Sequence, residues 1–243
     1  FLRLDAPLNV EGSRISLPSG ETGPLNGEVV DEYVQLAFHE SELYSPNRSG
    51  REWFGERFLP GEVKSFSLPV PFATAAPGRL AVSAAAKSTG APSILNVIAG
   101  DADLSISPSA TGSLSTSNVV NVASATWQGN VVSGSGASAN LSAEISFQGG
   151  APDALAYLDR LTLEQPSSLR FSGHQLVFAG AVDTASNAWT TYEITAEGGL
   201  DFVWDVTDPS SPSPRALSPV DGTQNKFRFE APIDTFRTFC AYA

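Results

Sequence analysis

The side chains able to do covalent or metal chemistry are few. The chain of 243 residues holds one cysteine, Cys240, and two histidines, His39 and His174. A cysteine nucleophile needs an imidazole beside it to take the thiol proton. Cys240 sits in the apolar run "FRTFCAYA", where a free thiol packs as a small hydrophobe. His39 lies in "HESE". Neighbours in a strand point to opposite faces, so that imidazole and its flanking acids do not converge on one metal ion. His174, in "FSGHQLVF", reads as a hairpin-turn residue. "GSGAS" at 134–138 departs from the Gly-x-Ser-x-Gly elbow and lacks its strand-to-helix context. No catalytic residue is expected.

Two pairs of aspartates could supply oxygen to a structural calcium ion, which favours loop carboxylates and carbonyls. They are Asp101 and Asp103 in "GDADLS", and Asp205 and Asp208 in "WDVTDP". Asx-turn capping accounts for the same aspartates without a metal. No other cofactor is expected, since no Gly-rich phosphate cradle is present. Four tryptophans, 53, 127, 189 and 204, offer either sugar-stacking platforms or core packing. Their places at strand ends or inside alternating runs favour the core.

The elements that would position these groups are strands. "NLSAEISFQ" sets Leu141, Ala143, Ile145 and Phe147 on one face against Ser142, Glu144, Ser146 and Gln148 on the other. "VKSFSLPVPF" repeats the pattern with Phe66, Leu68, Val70 and Phe72, and "YVQLAFHE" with Val34, Leu36 and Phe38 against Gln35, Ala37 and His39. About a dozen such runs alternate with turn signals, and none shows a helical period. The expected fold is all-β, an antiparallel β-sandwich of jelly-roll type with an N-terminal extension. The polar stretch "HESELYSPNRSGREW" marks the expected boundary. Residues 1–38 would be a strand extension or the end of a preceding domain, and 39–243 the sandwich. The expected core includes Trp53, Phe54, Phe202, Trp204 and Val206. In "DFVWDVTDP" the apolar residues would face inward, with Asp201 and Asp205 facing solvent or a neighbouring loop, until Pro209 stops the strand.

Composition narrows the partners. With 42% hydrophobic and 16% charged residues the chain can bury a core. Its net charge of −12 repels phosphate backbones, so nucleic acid is not an expected partner. No apolar run approaches the ~18 residues that span a membrane. The chain starts at Phe1 and has no methionine, as expected of a processed or excised segment whose signal peptide would already be missing.

Three segments carry a resemblance to a known family. "SPNRSGREWFGERF" (45–58), "YLDRLTLEQPSSLRFSGHQLVF" (157–178) and "FVWDVTDPSSPSPRAL" (202–217) resemble, in this order, parts of the PorU-type sortases of the type IX secretion system of Bacteroidota, which are gingipain-like cysteine peptidases. In that family these segments belong to a non-catalytic β region ahead of the peptidase domain. The resemblance implies a cell-surface setting on the extracellular side of the outer membrane. It also implies protein partners: secreted cargo, secretion-system components and the chain's own downstream peptidase domain. Family members remove the C-terminal sorting domain of cargo and attach the cargo to anionic lipopolysaccharide. Cys240 matches no catalytic motif of the family, so no catalytic residue carries over. A carbohydrate-binding sandwich, with or without calcium, is the competing reading, and an adhesin-type structural module is a third.

Overall fold

The computed structural model describes residues 29–46, 50–112, 120–173, 175–182 and 189–243. Regular structure among them is strand, apart from one three-residue 3-10 turn at Gly136–Ser138. The strands fall into two units, Asp31–Arg170 on one hand and Phe171–Ala243 with Val29–Val30 on the other.

The first unit is built from four strand pairs nested one inside the next. Glu32–Glu40 pairs with Leu155–Ser168, and Val63–Pro69 with Asn140–Gln148. Gly78–Lys87 pairs with Asn121–Gly129, and the innermost hairpin joins Ile94–Ala99 to Ala102–Ile106. All four pairs are antiparallel. Folding this nested hairpin over itself gives two layers with four main strands each, Arg57–Phe58 and Val132–Ser133 adding a short fifth to one layer apiece. In one the order is Glu32–Glu40, Leu155–Ser168, Gly78–Lys87, Asn121–Gly129; in the other it is Val63–Pro69, Asn140–Gln148, Ile94–Ala99, Ala102–Ile106. That is the strand order of a jelly roll, as the alternating pattern led us to expect.

Its core lies between the layers. Leu80, Leu141, Ile145, Leu161 and Leu163 have no exposed surface and meet Phe58, Phe147 and Leu158 in one continuous cluster. Each large apolar side chain so buried contributes about 1.5–3 kcal/mol. The long strand Leu155–Ser168 anchors the outer layer, and its register shifts between Leu158 and Arg160. This bulge lets Leu158 and Leu161, three residues apart, both face inward.

The second unit is a smaller sandwich. One sheet runs Gln175–Ala179, Thr238–Tyr242, Phe202–Asp205, Ser213–Arg215. The other runs Val29–Val30, Trp189–Ala196, Lys226–Pro232, Ser218–Pro219, with the first pair parallel. Phe178, Tyr192, Phe229 and Phe239 fill the space between them. The Tyr192 and Phe229 rings stack at 4.9 Å, and Phe229 meets Phe239 edge-on at 5.1 Å. Gly180 must lack a side chain here, because a Cβ would sit 2.8 Å from both the Phe239 ring and the Tyr192 hydroxyl.

The units divide the chain differently from the sequence reading. Position 38/39 falls inside the strand Glu32–Glu40, and residues 39–243 contain the whole of neither sandwich. The polar stretch after it is a hairpin of the first unit, in which Tyr44 bridges to Phe54.

Candidate interaction face

The strand Glu32–Glu40 is turned the opposite way from its sequence pattern. Val34, Leu36 and Phe38 are 58%, 59% and 60% exposed, on the outer face of the first unit. Tyr33, Gln35, Ala37 and His39 are half-buried on the inner face. The partner strand decides this. Ala37 lies opposite Leu163 and His39 opposite Leu161, both wholly buried, while Leu36 lies opposite Glu164 and Phe38 opposite Thr162. A slip of one residue would reverse the faces, but it would also undo the register set by the central strand.

The inward polar residues are satisfied individually. Ser167 donates to Gln35 Oε1 at 3.1 Å. The buried Gln165 donates from Nε2 to the carbonyls of Thr74, Ala76 and Pro166. His39 Nε2 lies 2.9 Å from Glu56 Oε1, and its ring packs 5.1 Å from that of Phe66. Burial raises the pKa of Tyr33 above the usual phenol value.

The outer face forms a shallow depression of about 530 Å³ across all four strands. Leu36 and Phe38 line one side, with Arg79, Ser83, Ser124, Thr126 and Thr162 on its floor. Arg79 pairs with Glu164 at 3.2 Å in the open, and Arg160 stands opposite Glu40. Such a face, with an apolar rim and a polar floor, can hold an extended ligand.

The candidate calcium aspartates are dispersed. Asp101 is exposed in the turn after Ile94–Ala99, where its own N–H donates to Asn130 O; Asp103 is exposed in the next strand. Asp208 caps a turn: the backbone N–H and hydroxyl of Ser210 both donate to its Oδ1, and these bonds hold its carboxyl below the ordinary value. Asp205 is buried. Arg215 donates to its Oδ2 at 2.6 Å and Arg237 at 3.2 Å, while Thr207 donates to Oδ1. Desolvation works against the charge, yet the hydrogen bonds from Thr207 and Arg215 outweigh it and lower the pKa. Among the described residues, no three acids, histidines or cysteines group as metal ligands.

Of the expected core residues, Phe54 and Trp204 are buried and Phe202 and Val206 half-buried. Trp53 is 45% exposed, because Phe54 takes the inward position in that hairpin and packs with Ala85, Val120 and Tyr157. Of the two placings expected for Asp205, the structure has not solvent but neighbouring side chains, Thr207 and Arg237 from loops and Arg215 from the adjacent strand. Both faces of Phe202–Asp205 are covered, so Val203, Trp204 and Asp205 are all buried. Arg215 and Arg237, which make a buried carboxylate tolerable there, gave no sign in the local pattern.

Cys240 is half-buried in the strand Thr238–Tyr242, and its sulfur accepts from Gln175 Nε2 at 3.1 Å. His174 lies outside the described residues. No described helix is long and apolar enough to cross a membrane.

Comparison with known proteins adds one close architectural parallel. The crystal structure of dimeric latent PorU from Porphyromonas gingivalis superposes with a TM-score of 0.68 over 92% of this chain, at 21% identity. The fold is PorU-like. This chain spans 21% of the length of that PorU chain. A cycloisomaltooligosaccharide glucanotransferase from Paenibacillus sp., complexed with cycloisomaltoheptaose, also matches, over 87% of this chain and 45% of that one. It does so at 10% identity and a TM-score of 0.30, too low to bear on function. No protein-family profile and no curated protein sequence matches the chain.

Proposed function

We propose that this chain is a non-catalytic β region of a type IX secretion sortase, a gingipain-like cysteine peptidase of the cell surface. In this reading it works on the extracellular side of the outer membrane. It supports the catalytic domain and docks secreted cargo or secretion-system components. The observation that carries the reading is the PorU-like fold along 92% of the chain, joined to the three sequence segments that resemble that family. The site chemistry supports it: Cys240 has the Gln175 amide as a partner, and Leu36 and Phe38 border an open surface depression.

The test mixes the purified chain with the C-terminal sorting domain of a secreted cargo protein from the same cell. Saturable binding that leaves the cargo intact is expected. Cleavage that Cys240→Ala abolishes would contradict the proposal.

One observation favours a second reading. Trp53 is 45% exposed, and an open indole face is suited to stacking on a sugar ring. Tryptophan fluorescence that responds to polysaccharide, and stops responding in Trp53→Ala, would replace docking with carbohydrate binding.

A further inference from the structure

We infer that the outer edge of the strand Glu32–Glu40 receives an extended protein segment as an added strand, and that this segment carries alternate apolar residues between basic ends. The inference rests on the docking reading above and specifies where and with what chemistry docking occurs.

The strand is the last in its layer, and no described strand pairs with its other edge. Natural edge strands are kept from pairing by brevity, by proline or bulges, by charged side chains or by a covering helix or loop. This one is nine residues long, "EYVQLAFHE", has no proline or lysine, and carries carboxylates only at its two ends. Its exposed side chains are instead a stripe of three large apolar residues, Val34, Leu36 and Phe38. An incoming strand would gain the ladder of main-chain hydrogen bonds. Every second side chain would lie beside this stripe, on the same outer face of the layer.

Charge selects the occupant. Asp31 and Glu32 are exposed at one end of the stripe, and Glu40 and Glu42 at the other. The cations nearby are Arg160, opposite Glu40, and Arg79, already paired with Glu164. Glu32 and Glu40 are eight residues apart, about 26 Å along a strand. A partner with Lys or Arg eight residues apart sets both charges against acids. A second copy of this chain does not. Antiparallel pairing centred on Leu36 puts Glu32 opposite Glu40, and in-register parallel pairing puts each glutamate beside its own copy. Like charges directly opposed destabilise either arrangement. The acidic ends therefore keep copies apart while the apolar middle stays open to a basic-flanked strand.

The test uses three nine-residue synthetic peptides with valine and threonine alternating between their ends. One is lysine-ended, one glutamate-ended, and one lysine-ended with a central proline, which lacks the ladder N–H. The expected result is saturable binding of the first alone, weaker as salt rises. Leu36→Thr and Phe38→Thr should each weaken it by about tenfold, the weight of one large apolar contact, at an unchanged unfolding midpoint. Equal binding of the lysine- and glutamate-ended peptides overturns the inference, as does binding indifferent to Leu36 and Phe38. Self-association that Leu36→Thr disrupts overturns it in favour of a second copy, and glucan-oligosaccharide binding at the same two residues in favour of a sugar. The peptides contain no sorting signal. Peptide binding without cargo binding would thus leave the strand site standing and sink only the sortase reading.

Discussion

Arg215 Nη2 donates to Asp205 Oδ2 at 2.6 Å, with both side chains almost wholly removed from water. Two charges so placed are tolerable only together. Removing one leaves the other desolvated and uncompensated, at a cost of about 3–5 kcal/mol. Asp205→Ala should therefore destabilise the second unit by about that margin, read as a lower denaturant midpoint. Combining Asp205→Leu with Arg215→Met should restore part of the loss, since a buried pair replaced by apolar groups is close to neutral. Urea unfolding followed by circular dichroism measures both.

Two buried carboxylates, Asp205 and Glu193, predict a pH dependence. Asp205 is held below the ordinary carboxylate range. So is Glu193, first by its hydrogen bond from Lys226 and then, against some desolvation, by Arg228. A carboxylate with a lowered folded-state pKa binds protons first in the unfolded chain. Its contribution is complete above the unfolded value, about 4, and is lost as pH falls toward the folded one. Stability should be flat from about pH 5 to neutrality and decline below about pH 4. Asp205→Asn with Glu193→Gln should flatten that decline. Denaturant midpoints from pH 2.5 to 7 give the slope.

Trp204 is 8% exposed, and its indole N–H donates to the Tyr242 hydroxyl at 2.8 Å. Trp204→Ala should cost about 3–5 kcal/mol. Tyr242→Phe removes only the acceptor and should cost about 1 kcal/mol. An unfolding midpoint unmoved by Trp204→Ala would place this ring outside the core.

Most of the fold could be read from period-2 alternation wherever a strand has one wet and one dry face. "NLSAEISFQ" and "VKSFSLP" behave as their patterns say, with Leu141, Ile145, Phe66 and Leu68 buried. The pattern misleads in two physical situations. An edge strand takes its facing from its neighbour, so Val34, Leu36 and Phe38 point outward because Leu161 and Leu163 fix the register. A strand covered on both faces has no dry side to identify, so Asp205 is buried beside Val203 and Trp204. Its partners Arg215 and Arg237 are 10 and 32 residues away, beyond any local pattern. The division into two sandwiches was hidden for a similar reason. The boundary falls between Arg170 and Phe171, inside a two-residue strand that follows Leu155–Ser168 after one residue, with no Gly- or Pro-rich linker to mark it.

The outward facing of the edge strand supports both the docking face and its charge-selected occupant, and it can be measured by thiol labelling under native conditions. In a Cys240→Ser background, Leu36→Cys and Ala37→Cys place a thiol on opposite faces of the same strand. The account predicts fast modification at position 36 and strongly protected modification at 37, where the side chain packs against the core. Protection at 36 with ready labelling at 37 would contradict it.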